Sequence, residues 1–170
     1  MKQAYDVLDT KRLILQTLHW DLFEELARLL ANPIVHRYFP GPLSAPEARA
    51  FLSRVLERQE RDGYSFWAVF RKDDSVFIGI CGLLKQTVAD ADYIEVAYRF
   101  DNAFWGHGYA PEAAAGCIDY ARDVLHATSV ISLIRPENKQ SIRVAEKNGF
   151  IIDQETMFGG YRHRIYRKDL

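Results

Sequence analysis

The sequence predicts an α+β fold: a mixed, mostly antiparallel central sheet flanked by helices, with one parallel strand–helix–strand crossover. Three observations predict it. Short apolar and alternating runs cluster in the middle of the chain, with helical-period segments before and after them. Two pairs of these runs are separated by only a few polar or glycine residues, as antiparallel hairpins require. Residues 92–134 read as strand, glycine turn, helix, strand, the connection that joins two parallel neighbours.

Residues 12–18 alternate enough for a first strand, and Leu22, Phe23, Leu26, Leu29 and Leu30 then recur at helical spacing. Asn32-Pro33 ends that helix, because proline disfavours the helical conformation in the residue before it. Ser44-Ala45-Pro46-Glu47 is a capping box: Ser44 offers an oxygen to the free amides and Glu47 reaches back. The helix it starts carries Phe51, Leu52, Val55 and Leu56 on one face and runs to about Asp62. Residues 65–71 and 76–84, separated by Lys72-Asp73-Asp74-Ser75, form a hairpin. Residues 92–100 are rich in aromatic and β-branched types and make the next strand. A glycine turn leads into a helix over 109–126, followed by a strand over 130–134 and a short helix over 138–148 with Gly149 as its left-handed terminator. Residues 150–157 and 162–168 pair around Gly159-Gly160, and an exposed last strand could pair two subunits.

Composition bounds the function. The 170 residues suit one domain over 1–170, and 48% apolar with 26% charged residues is a globular mix. Lys plus Arg (22) nearly balances Asp plus Glu (23), so no basic field draws the chain to nucleic acid or anionic lipid; the partner is small. The apolar run 76–84 is too short to span a bilayer, and residues 1–6 lack the apolar core of a secretory signal, which predicts a cytoplasmic protein. Cys81 and Cys117 belong to no CxxC pair and read as buried apolar residues. The five histidines are scattered without ligand spacing, so no metal is expected.

The chemistry-bearing stretch is Phe104-Trp105-Gly106-His107-Gly108-Tyr109-Ala110-Pro111-Glu112. Two glycines let the backbone take left-handed dihedrals and approach an anion closely, and Pro111 fits the first turn of a helix whose unpaired amides and dipole complete the site. Such a turn could serve a dinucleotide fold, a P-loop or an acyl-CoA fold. GxGxxG is absent, because Tyr109, Ala110 and Pro111 follow Gly108, and no Gly-Lys-Ser/Thr follows to hold a metal-bound nucleotide.

The residues resemble the GNAT N-acetyltransferase superfamily, whose loose motif Gln/Arg-x-x-Gly-x-Gly/Ala stands in this position. The run from Trp105 to Ala113 is similar to the WGxGYAxEA signature of the ribosomal-protein N-terminal acetyltransferase-like (Rim-type) branch, with Trp105 in the Gln/Arg slot. Downstream, Asn138, Ser141, Lys147, Gly149 and Phe150 fit that branch's N-x-x-S-x-x-x-x-x-K-x-G-F helix. Glu95, Ala97 and Tyr98 resemble its aEiGY strand, and Arg12-Leu13-Ile14-Leu15 its opening tpRLxLRxl strand, so the likeness covers nearly the whole chain.

The resemblance implies direct acetyl transfer from acetyl-CoA to a primary amine, a small molecule or a protein N-terminus, with no covalent acetyl-enzyme. It places acetyl-CoA against Tyr98, Arg99 and Phe100, against Trp105, Gly106, His107, Gly108, Tyr109 and Ala110, and against Asn138 and Ser141. The pantetheine arm would lie between the strands 92–100 and 130–134, which family members splay. The pyrophosphate would rest on backbone amides, an uncharged grip needing no lysine cluster.

An amine attacks only as the neutral base, so something must remove its proton; Glu95, mid-strand among apolar residues, is the first candidate. The competing reading is a carboxylate that binds the substrate ammonium or pairs with an arginine. Many relatives use a tyrosine to protonate the departing thiolate, but that slot holds Ala145; the Rim-type substitute is Ser141, whose hydroxyl could equally cap free amides. Asn138 reads both as helix N-cap and as a pantetheine contact. Trp105 and Phe104 read as anchors, and His107 as solvent-facing. Tyr38, Phe39, Trp67, Tyr93 and Tyr98 could line an amine pocket, with residues 32–43 as an adjustable substrate loop. An acidic pocket there would still serve a polycation such as a polyamine or aminoglycoside; an amino-acid-like metabolite is another acceptor. The rival from another class is a non-catalytic acyl-CoA sensor module, and a second is a domain gripping a nucleotide pyrophosphate.

Overall fold

Among residues 5–170, which the computed structural model describes, eight strands form one sheet. They are β1 (Asp6–Asp9), β2 (Leu13–Thr17), β3 (Phe66–Arg71), β4 (Phe77–Val88), β5 (Ala91–Phe100), β6 (Ser129–Ile134), β7 (Ile151–Phe158) and β8 (Tyr161–Asp169), in the order β1-β2-β3-β4-β5-β6-β8-β7. Only β5 and β6 run parallel; every other neighbouring pair is antiparallel. Four helices, α1 (Phe23–Leu30), α2 (Ala45–Asp62), α3 (Tyr109–Asp123) and α4 (Lys139–Lys147), cover the sheet. Residues 1–4, within the segment read for a secretory signal, lie outside the described residues.

β3 and β4 read as continuous apolar runs because helices cover both faces. Trp67 and Val69 pack with Cys117 and Ala121 of α3, while their neighbours Phe66 and Ala68 pack with Leu52 and Val55 of α2. The capping box forms as spelled: the Ser44 amide donates to Glu47 Oε2 at 2.7 Å, and Ser44 Oγ accepts from the Glu47 amide. Cys81 and Cys117 are buried thiols whose sulfurs stand 3.6 Å apart across the β4–α3 packing.

Three elements differ from the sequence reading. β1 was not expected, since four residues spelling Asp-Val-Leu-Asp carry no periodicity; it forms by pairing with β2 at Leu8↔Leu15. β4 continues four residues past Leu84, because Ala89 and Asp90 take left-handed dihedrals (φ 48° and 63°) and close a two-residue hairpin into β5. The last strand is not at an edge: β8 lies between β6 and β7, so the free edge at that end of the sheet is β7, where Ile151 is 73% exposed. No described helix is long and apolar enough to cross a membrane.

The sheet has a seam. β4 and β5 pair along ten residues each, from Gly79↔Phe100 to Val88↔Ala91, whereas β5 meets β6 at a single register pair, Glu95↔Ile131. Beyond that point the strands part, and the two cavities described next open on either side of the gap.

Candidate active site

The glycine turn has the backbone its composition calls for. Gly106 (φ 81°) and Gly108 (φ 78°) are both left-handed, and Gly108 is the N-cap of α3, with no side chain to occupy the free amides. A Cβ built on Gly106 would meet no atom within 4 Å, so the turn faces open space where an anion can approach the amides.

Long-range contacts hold the turn in place. Glu112, one turn into α3, accepts from the Arg12 amide at 2.7 Å, from Arg12 Nε at 2.7 Å and from the Thr10 hydroxyl at 2.6 Å. Arg12 Nη1 also donates to the His107 carbonyl at 2.9 Å, and its guanidinium lies 4.6 Å from the Tyr109 ring centroid. Burial opposes ionisation of Glu112, but these hydrogen bonds hold its carboxyl below the ordinary range. From the other side, Trp105 Nε1 donates to the Phe100 carbonyl at 2.9 Å, tying the turn to the end of β5. Arg12→Ala is therefore expected to weaken CoA binding by about tenfold, with a smaller loss of thermal stability, since hydrogen bonds to charged groups contribute about 1.5–3 kcal/mol. Isothermal titration beside a melting curve checks it; unchanged affinity would mean the turn holds its shape without Arg12.

The turn floors a cleft of about 320 Å³. Tyr98, Phe100, Asn138 and Ser141 line it, as does every residue of 104–111 except His107, which is exposed and lies outside the cleft although the resemblance set the cofactor against it. Four cations, Arg37, Arg99, Arg143 and Lys147, also line this cleft, so its wall is not the uncharged surface the sequence reading expected. The signal was available: Gln140, Arg143 and Lys147 recur at helical spacing along α4, and the helix turns that stripe to the cleft.

A second cavity of about 440 Å³ lies between α2, the 38–43 segment and the β7–β8 hairpin. Glu95 lines it, 8% exposed, at the point where the strands part. Burial pushes its carboxyl up to about 7, against hydrogen bonds from Gln86 Nε2 (2.9 Å) and the Leu133 amide and the charges of Arg58 and Arg99. A carboxyl so placed exchanges its proton near neutral pH. Across the seam, Ser132 Oγ donates to the Val96 carbonyl at 2.9 Å.

Tyr38, Phe39, Tyr98, Arg99, Asn138 and Ser141 line both cavities, so the two spaces meet there. The N-cap of α4 is Asn138, whose Oδ1 accepts from the Ser141 amide at 3.2 Å. Among the described residues the Ser141 hydroxyl caps no backbone amide; its hydrogen-bonding neighbour is the Tyr98 phenol. Tyr98 donates its phenol to the Ser141 carbonyl at 3.4 Å, and burial raises that phenol well above its ordinary range. Ala145 is buried behind this junction.

Arg99 sits on the same face of β5 as Glu95. Its Nη1 donates to Nε2 of buried His36 at 2.8 Å, which leaves the His36 proton on Nδ1, facing the Asn32 carbonyl at 3.1 Å. Burial, and the Arg99 charge after it, lower the His36 pKa, so the ring is neutral and accepts. The guanidinium stacks over Phe39 at 4.1 Å and Phe51 at 5.1 Å, while its Nε has no partner among the described residues.

Two aromatic residues expected in the amine pocket are elsewhere. Trp67 is fully buried against Tyr120, 5.1 Å between ring centroids, because its strand position points to the α3 face; Tyr93 packs near Val88, Ile131 and Ile165. Tyr38, Phe39 and Tyr98 do line the cavity. The 32–43 segment is pinned at its middle by buried Val35 and His36 rather than lying free on the surface. Among the described residues, no group of three or more His, Cys, Asp or Glu could hold a metal ion.

Comparison with known proteins matches residues 12–151 to the Acetyltransferase (GNAT) domain family. Uncharacterized protein YkkB of Bacillus subtilis is 35% identical over 121 residues, covering 71% of this chain and 70% of that protein. An acetyltransferase from Agrobacterium tumefaciens superposes with a TM-score of 0.85 at 23% identity, over 100% of this chain and 98% of the other. RimL, a ribosomal L7/L12 alpha-N-protein acetyltransferase solved in complex with coenzyme A, superposes at 0.77 with 16% identity, over 97% and 98% of the two chains.

Proposed function

The chain belongs to the GNAT acetyltransferase family, an enzyme family of acyltransferases acting on amines, and we propose that it moves an acetyl group directly from acetyl-CoA to a primary amine. The observation that carries this reading is the meeting of two cavities at a split sheet. One is floored by a glycine turn with free amides, and the other holds a buried carboxyl that titrates near neutrality.

The site fits acetyl-CoA. The open space over Gly106 admits a pyrophosphate to the amides of residues 106–110, and Arg37, Arg143 and Lys147 supply charge for phosphate groups along the same cleft. Trp105 holds the turn to β5, while Tyr98, Arg99, Phe100 and Asn138 flank the path toward the seam. CoA in the RimL complex supports placing the same donor here. That all eight strands belong to one sheet supports reading residues 1–170 as one catalytic domain.

In this reading Glu95 takes the proton that keeps the amine cationic. The nitrogen lone pair then forms the C–N bond to the acetyl carbonyl carbon as the C–S bond breaks. Ser141 donates its hydroxyl proton to the departing sulfur and recovers one from solvent; the remaining N–H proton lost on amide formation leaves to solvent, so the products are the acetamide and free CoA thiol. Backbone N–H groups freed where β5 leaves β6 are placed to polarise the carbonyl oxygen.

Ser141→Ala is expected to slow thiol release by about tenfold while CoA affinity and stability stay near wild type, because general acids contribute more than this when the leaving group is poor and a thiolate leaves readily. Single-turnover thiol detection separates the rate from binding, and an equal loss of melting temperature without a rate effect would return Ser141 to a structural role. The reading as a whole is tested by thiol release from acetyl-CoA over a panel of amines, with protection by CoA, ATP and NAD compared. Thiol release with CoA-selective protection supports it, CoA protection with no release favours a sensor, and protection by ATP or NAD favours a nucleotide domain.

A further inference from the structure

We propose that the acceptor is a small amine carrying its own oxyanion, a carboxylate or a phosphate, and not a polycation. This rests on the acetyl-transfer reading and names the substrate class of the acceptor cavity.

The charges lining that cavity are lopsided. Arg54, Arg58, Arg99 and Arg135 face one carboxyl, Glu95, although the chain as a whole has a formal net charge of −1. The acidic pocket that a polycation would need is not what lines the cavity: a polyamine or aminoglycoside would meet four like charges for one opposite, and like-charge contact in a partly desolvated site disfavours binding strongly.

Among the described residues three of the arginines make no ion pair at contact distance, although the Glu95 charge reaches Arg58 and Arg99 and the Asp62 charge reaches Arg58. Arg54 and Arg58 lie one turn apart on α2 and make no hydrogen bond or ion pair among the described residues. Cations at that spacing repel, and an anion bridging them removes the cost. Arg99 bonds only neutral His36, stacks on two phenyl faces and keeps a solvent-shielded Nε unmatched. A guanidinium in that setting is completed by a planar or tetrahedral oxyanion accepting two parallel N–H bonds. Arg135 is the exception, stacked on Tyr161 at 4.4 Å and 3.5 Å from the exposed Glu137 carboxylate.

The polarity also orients the substrate. Glu95, Ala97 and Arg99 alternate along one face of β5, and Arg58 lies near enough to bias the Glu95 carboxyl. An ammonium drawn to Glu95 and an oxyanion drawn to the α2 arginines and Arg99 place the nitrogen at the seam, where Asn138 and Ser141 line both cavities.

The test is initial-rate thiol release from acetyl-CoA with matched amines: an α-amino acid against its carboxamide, 2-aminoethyl phosphate against 2-aminoethanol, a polyamine, and a C-terminally amidated peptide with a neutral side chain at its N-terminus. The anionic member of at least one pair is expected to exceed its neutral partner in kcat/KM by about a hundredfold. The pair that separates tells a carboxylate from a phosphate. In Arg58→Ala the KM for that acceptor should rise by about tenfold with the KM for acetyl-CoA unchanged, and Arg58→Lys should recover part of the loss. Equal or faster turnover of the neutral amines, the polyamine or the peptide overturns the proposal while leaving acetyl transfer intact. Bound CoA with no thiol release from any amine overturns acetyl transfer itself, and this proposal with it.

Discussion

Glu95→Gln is expected to lower kcat by about a hundredfold near neutral pH, the low end of what a positioned general base contributes. The wild-type rate should climb with pH through about 7, the value to which burial raises this carboxyl, because only the ionised form accepts the amine proton. In the variant that limb disappears, and the residual rate rises only as the amine acceptor loses its own proton at higher pH. Stability supplies an independent readout with a definite sign. Between the ordinary 4.5 and about 7 the folded protein holds this proton while the unfolded chain releases it, so wild-type stability falls as pH rises across that window. Glutamine carries no titrating proton, so the fall should vanish in the variant. Its amide offers one acceptor oxygen where the carboxylate offers two, and its NH2 is a donor, so the pH slope and not the absolute stability is the quantity to compare. An unchanged pH–rate profile would reduce Glu95 to an electrostatic anchor for the ammonium.

Gly106→Val is expected to raise the CoA dissociation constant by at least about a hundredfold, with acetyl transfer lost at ordinary donor concentrations. Two effects must be told apart. A left-handed residue with a Cβ costs about 1–2 kcal/mol wherever it occurs, more for a β-branched one. The second effect is local: the added carbons fill space that holds no protein atom within 4 Å, directly over the free amides. Gly160 isolates the first. It has φ 82° against 81° for Gly106, also meets nothing within 4 Å, and sits in the β7–β8 turn outside both cavities. Gly160→Val should therefore lose comparable stability yet bind CoA as wild type does. Parallel loss of affinity in the two variants would falsify the assignment of this turn to the phosphate.

What could be read from the sequence was local. The Ser44–Glu47 capping box, the Gly159-Gly160 hairpin and the left-handed Gly106 and Gly108 each depend on a few adjacent residues, and each appears as spelled. The face alternation of β5 likewise put Glu95 among apolar neighbours before any contact was visible. What stayed hidden depends on distant partners. Glu112 steadies the glycine turn through Thr10 and Arg12, about a hundred positions away, and nothing in its own neighbourhood announces that pairing. The arginines of the acceptor cavity come from α2, β5 and the segment after β6, so the near-neutral chain total concealed a positive pocket. Trp67 was misplaced for a related reason: a strand covered on both faces has no polar side to show which way an aromatic residue points.

The one register pair joining β5 to β6, with the Ser132 and Leu133 hydrogen bonds beside it, makes the sheet two plates held by a narrow clasp. Both cavities draw their walls from both plates: Trp105 and Arg58 stand on one, Ser141 and Tyr161 on or beyond the other. Each bound molecule thus acts as a cross-brace over the gap, and whichever arrives first has already spent the ordering that the second would otherwise require. By linkage the effect is mutual, so donor and acceptor should tighten one another's hold by the same factor.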